Sequence, residues 1–159
     1  MKTLIKASVS LFVLALVALV AVPASAQTTT GVVTGGGSAV FVATSHSLTT
    51  SGYTDFAVNA TVRSDGVARG EFICAIPNVV VLACIVRSGH VNSNGSVSLY
   101  GTEYGWDNVA MSGYNGCNCS VVLRPGGPGK GGFDFRDCVF GPGQYDTEVV
   151  RFGAINLKQ

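Results

Sequence analysis

Charge is scarce in this chain. Asp, Glu, Lys and Arg make up 12% of its 159 residues, histidine occurs twice and tryptophan once. Intrinsic disorder needs high charge and few apolar residues, so a chain that is 47% hydrophobic is excluded from that class. No run of Lys or Arg occurs anywhere, which argues against nucleic acid or an anionic membrane surface as partner, since both demand clustered positive charge. Long helices are missing too. Gly or Pro interrupts the sequence repeatedly, and the uninterrupted stretches are rich in Val, Thr, Phe and Tyr, the residues of strands. The 21 glycines follow no Gly-X-Y period, so a collagen-like chain is also excluded.

Catalytic signatures are equally absent. No Gly-x-Ser-x-Gly, His-Glu-x-x-His or EF-hand loop occurs. The segment Pro125-Gly-Gly-Pro-Gly-Lys-Gly-Gly132 fails as a phosphate-binding loop, because Arg124 stands five residues before Gly129 and Gly131 follows Lys130. It reads instead as a wide hairpin loop. No cofactor motif is present, and no metal site is expected. His46 and His90 read as loop residues.

The apolar residues are unevenly placed. Residues 1–26 begin with Lys2 and Lys6, continue through the apolar run Leu11–Val22, and end in Ala24-Ser25-Ala26 after Pro23. That is the three-part pattern of a secretory signal peptide, with cleavage between Ala26 and Gln27. Twelve apolar residues fall short of the ~20 that a membrane-spanning helix requires. A secreted or periplasmic protein is therefore expected, with no membrane insertion after leader removal. Residues 27–159 then form a single domain with 8 basic and 9 acidic residues.

Within that domain the alternation is clearest over Tyr53–Arg63, where Phe56, Val58, Ala60 and Val62 share one face. Further strands are expected over 38–44, 69–76, 79–87, 95–102, 120–124, 133–140 and 148–157. The fold class is all-β: one antiparallel barrel or sandwich of about eight to ten short strands. Residues 27–37, with Gly35-Gly36-Gly37, are expected to be a flexible N-terminal arm.

All five cysteines follow the leader and meet an oxidising compartment. A hairpin centred on Val79 sets Cys74 opposite Cys84 and predicts a disulfide there. A second hairpin, folded about the Gly/Pro segment, sets Cys119 opposite Cys138. Sliding it by one residue pairs Val121 with Phe135 and Leu123 with Phe133, a better apolar match, and a bulge at 116–119 would reconcile the two registers. Cys117 is the alternative to Cys119 as partner of Cys138, and one thiol is left over.

Two further groups merit a test. Asp134, Asp137, Asp146 and Glu148, interleaved with Arg136 and Arg151, read as ion pairs on the solvated face of the last hairpin, with a calcium site as the competing reading. Tyr100, Tyr104 and Trp106 share parity and would line one face of an extended segment. Such a row either covers the core or forms a platform for sugars and other flat ligands. A hydrolase would need carboxylates such as Glu71 and Glu103, or a histidine, to meet in a cleft.

The segment Arg124-Pro-Gly-Gly-Pro-Gly-Lys130 with Phe133-Asp-Phe135, and the ending Gly153-Ala-Ile-Asn-Leu-Lys158, resemble a family of secreted bacterial β domains, the post-COAP type. Gly35-Gly36-Gly37 and Phe56-Ala-Val-Asn-Ala60 are similar to that family's opening. The resemblance implies a small secreted β fold and no catalytic residues. The first expectation is a non-enzymatic binding or structural module whose partner is carbohydrate or another exported protein. A small-ligand binder using Tyr100, Tyr104 and Trp106 comes second and a secreted hydrolase third.

Overall fold

Eight antiparallel strands, joined in chain order, close into a barrel in the computed structural model, which describes residues 28–44, 52–136 and 146–159. They are β1 (Thr29–Thr44), β2 (Tyr53–Arg63), β3 (Val67–Ile76), β4 (Val80–Val91), β5 (Val97–Asp107), β6 (Ser112–Arg124), β7 (Gly132–Arg136) and β8 (Asp146–Lys158). Each strand pairs with its sequence neighbours, and β8 returns to β1, with Val32 opposite Lys158 and Thr44 opposite Asp146. Eight strands enclose a space that side chains alone can fill. The all-β expectation therefore holds, as a barrel rather than a sandwich. The signal-peptide segment, His46 and Cys138 lie outside the described residues.

Alternation places the core. In β2, Phe56, Val58, Ala60 and Val62 point inward, and Asp55, Ala57 and Asn59 point outward. The barrel centre is aromatic: Phe72 packs edge-on against Phe133 at 5.0 Å between ring centroids. Phe135 and Phe56 complete the group at 5.3 Å from Phe72 and Phe133 respectively. Such pairs prefer tilted or edge-on geometry because the ring face is negative and its edge positive.

The expected N-terminal arm proves to be the first half of β1. Its glycines are what admit it to the sheet. Gly37 and Gly153 face each other where β1 crosses β8, and a Cβ on either would collide with the opposing backbone at Phe152 O or Gly36 O. A glycine run that reads as slack in isolation is thus a site of close backbone approach.

The hairpin between β3 and β4 also corrects the sequence reading. Val79 N–H donates to Ile76 O at 3.0 Å, with Pro77 and Asn78 as the central residues of the turn. Pro77 supplies the fixed φ of the first central position, and Asn78 takes the positive φ of 63° that a β-branched residue such as Val79 resists. The hairpin is therefore centred on Asn78. Phe72 faces Cys84, and Cys74 faces Leu82. The β6–β7 hairpin takes the slid register, with Val121 opposite Phe135 and Leu123 opposite Phe133. The bulge falls at Gly116, between the Glu103–Cys117 and Tyr104–Asn115 pairs.

Candidate functional site

One disulfide joins Cys84 to Cys119, not Cys84 to Cys74 or Cys119 to Cys138 as expected. The two residues sit on β4 and β6, with β5 between them. Flat strands two apart are about 9.5 Å from one another, yet these Cα atoms are 6.0 Å apart. The sheet is therefore strongly curved about β5, where Gly101 is the position opposite both Val86 and Cys119. A Cβ there would strike Ile85 O. Pairing between non-adjacent strands is invisible to a hairpin argument, which compares only neighbours. Cys117 is disulfide-bonded as well, and Cys74 is buried on the inner face.

The other side of β5 faces outward. Tyr100, Tyr104 and Trp106 are 44%, 40% and 46% exposed and stand on that outer side. They neither plug the barrel nor cover its core. His90 of β4 stacks on Tyr100, with ring centroids 6.1 Å apart and planes inclined by 27°. Val81 faces Trp106 across the β4–β5 pair and is itself exposed, so the apolar strip widens towards the β5–β6 turn. That turn is held by Asp107, whose Oδ1 accepts from the N–H groups of Val109 and Ala110 at 2.7 and 2.8 Å. Val109 and Met111 project from it, both more than 70% exposed.

A second exposed aromatic pair, Tyr53 and Phe152, differs in kind. The Arg151 guanidinium lies over both rings, 5.4 and 5.9 Å from their centroids, and already occupies their faces. On β5 no cation lies over the rings among the described residues; His90 takes one face of Tyr100, and the Trp106 ring lies beside Gly113.

Beside Tyr100 the outer surface dips into a groove of about 370 Å³, lined by Tyr100, Ser120, Val122, Asp134, Arg136 and Thr147. Sequence reasoning marked Asp134 and Arg136 only as part of an acidic cluster. The signal that would have separated them is the alternation of β7, where Phe133 and Phe135 point inward and the charged neighbours outward. Arg124 donates to Asp134 Oδ2 at 2.5 Å, an ion pair across β6–β7.

The acidic cluster itself is divided by the sheet. Asp134 is outside; Asp146 and Glu148 are inside and buried, at 6% and 2% exposure. The expectation of a solvated acidic face is corrected by a bulge. Phe152 pairs with Ser38 and Val150 with Ala39, so Arg151 is the extra residue and the inward parity of β8 changes there. Inward Ile155 would place Val149 inside by simple counting; the bulge puts Glu148 and Asp146 there instead. Burial pushes the Glu148 carboxyl up to about 8. Thr54 offsets part of that shift and neighbouring Asp146 adds to it. Neither Glu148 Oε2 nor Thr54 Oγ1 has a hydrogen-bond partner of good geometry. Glu103 is also fully buried, on the inner face of β5 between Cys84 and Cys117. Glu71 is exposed on β3, so the Glu71–Glu103 pairing that a hydrolase would use is not formed. Among the described residues no three of His, Cys, Asp and Glu group as metal ligands.

Fold and site together define an up-and-down β-barrel that carries an open aromatic row on one strand, next to a polar groove. No family model, no curated protein and no solved structure matches this chain.

Proposed function

We propose that this chain is an exported, non-enzymatic binding module whose β5 outer surface takes carbohydrate or a comparably flat polar ligand. A post-COAP-like β domain suits that setting. The observation that carries the reading is the placement of Tyr100, Tyr104 and Trp106: three aromatic side chains on one strand, all outward, each close to half exposed. Exposed aromatic rows cost solubility and contribute nothing to a core, so their retention on one face fits a contact surface. Tyrosine and tryptophan add polar edges that hydrogen-bond while the ring face stacks.

Trp106→Ala is expected to leave the melting temperature almost unchanged, because an exposed ring contributes little to folding. Saccharide binding on a glycan array should fall at least ~10-fold, the equivalent of ~1.4 kcal/mol. A silent array with folded wild-type protein would refute the reading.

A further inference from the structure

We propose that the groove beside Tyr100 selects acidic saccharides, those bearing a carboxylate or sulfate, and that Arg136 is the residue that pairs with the acid group. This assignment rests on the aromatic-platform reading of β5 and specifies the ligand class of the same surface.

The groove is built from two rows of directly opposed residues. Tyr100, Ser120 and Arg136 form one row across β5, β6 and β7. Val122, Asp134 and Thr147 form the next across β6, β7 and β8. Tyr100 and Arg136 therefore stand two strand spacings apart, about 9.5 Å. A sugar ring on the side of Tyr100 away from His90 can direct a substituent over Ser120 to the guanidinium.

The charges in the groove are not equivalent. Asp134 is engaged by Arg124 through Oδ2, which offsets its negative charge. Its Oδ1 is buried, so the accessible charge of the groove is not set by this carboxylate. Arg136 is exposed and has no ion-pair partner among the described residues. After Arg124 and Asp134 offset each other, the groove retains the single positive charge of Arg136. A planar guanidinium binds a carboxylate or sulfate through two parallel N–H donors, a geometry that a neutral sugar cannot use. The Ser120 and Thr147 hydroxyls, each both donor and acceptor, supply the mixed hydrogen bonding that a polyhydroxylated ring requires.

The test uses the full domain in affinity electrophoresis and calorimetry against a polyuronate, a sulfated polysaccharide and neutral xylan, with wild type, Arg136→Gln and Trp106→Ala. Wild type should bind one or both acidic polymers roughly tenfold more tightly than xylan, and that margin should shrink as salt screens the pair. Arg136→Gln should remove the margin while keeping the xylan affinity and the melting temperature; Trp106→Ala should weaken every interaction. Binding to the polyuronate alone identifies carboxylate as the recognised group, and binding to the sulfated polymer alone identifies sulfate. Equal affinity for acidic and neutral polymers, with Arg136→Gln inert, would overturn the acid selection and leave the platform standing. Failure of folded wild type to bind any of the three would overturn the platform, and the acid selection with it.

Discussion

Replacing Cys84 and Cys119 together by alanine is expected to lower the unfolding free energy by about 4 kcal/mol at 25 °C. The two cysteines are 35 residues apart in sequence. Releasing a loop of that length returns about 13 cal/mol/K of chain entropy to the unfolded state. For a domain of this size that is a large part of the whole stability, which is of order 5–15 kcal/mol. Urea titration provides the measurement: the midpoint should fall in the double variant, and a reductant should lower the wild type at least as far, because it also cuts the bond of Cys117. In the absence of denaturant, reduction should be slow, because Cys84 is fully buried and Cys119 nearly so. A change below ~1 kcal/mol would mean that the bond is a passive consequence of the fold.

Glu148 predicts the second large effect, and its direction is opposite to that of a salt-bridged acid. The carboxyl is raised from the ordinary value of 4.5 to about 8, first by burial, with Thr54 opposing and Asp146 reinforcing. Between those two values the folded barrel holds a proton that the unfolded chain releases. Stability is therefore full below about pH 4.5 as far as this group is concerned, and it falls as pH rises towards 8. The slope is about 1.4 kcal/mol per pH unit at its steepest, and the accumulated loss by pH 8 is on the order of 3–5 kcal/mol. Glu148→Gln keeps the shape of the neutral acid and cannot ionise. Its unfolding midpoint should change little between pH 5 and pH 8.5, while that of the wild type declines. A wild-type profile that rises over this interval, or one that Glu148→Gln leaves unaltered, would show that the buried carboxyl is not the controlling group.

Much of the barrel was legible in the sequence because its strands alternate. Tyr53–Arg63 was recognisable in full, since Phe56, Val58, Ala60 and Val62 keep strict period two. The better apolar register of β6 against β7 was likewise readable from Val121, Leu123, Phe133 and Phe135. The β3–β4 register failed on local turn chemistry at Pro77-Asn78; the other failures depend on a partner that is not next in sequence. Gly35–Gly37 resembled a loose arm because the strand that makes those glycines necessary, β8, lies more than a hundred residues away. Cys84 and Cys119 meet across β5, on two strands that do not pair with each other. Glu148 appeared solvated because the single bulged residue Arg151 reverses the parity of β8. The aromatic row was found by parity alone, whereas its outward direction required knowing which face of β5 the barrel turns inside.

Closure of β8 onto β1 also fixes where the two ends of the sheet emerge. Val32 near the start of the first strand is a direct neighbour of Lys158 at the end of the last. Both ends of the sheet therefore leave from one rim, and the β5–β6 turn with Val109 and Met111 stands at the opposite rim. The order of the strands is circular, and only the position of the break makes β1 the first of them. A module tethered through either end would hold its Trp106 end away from the tether.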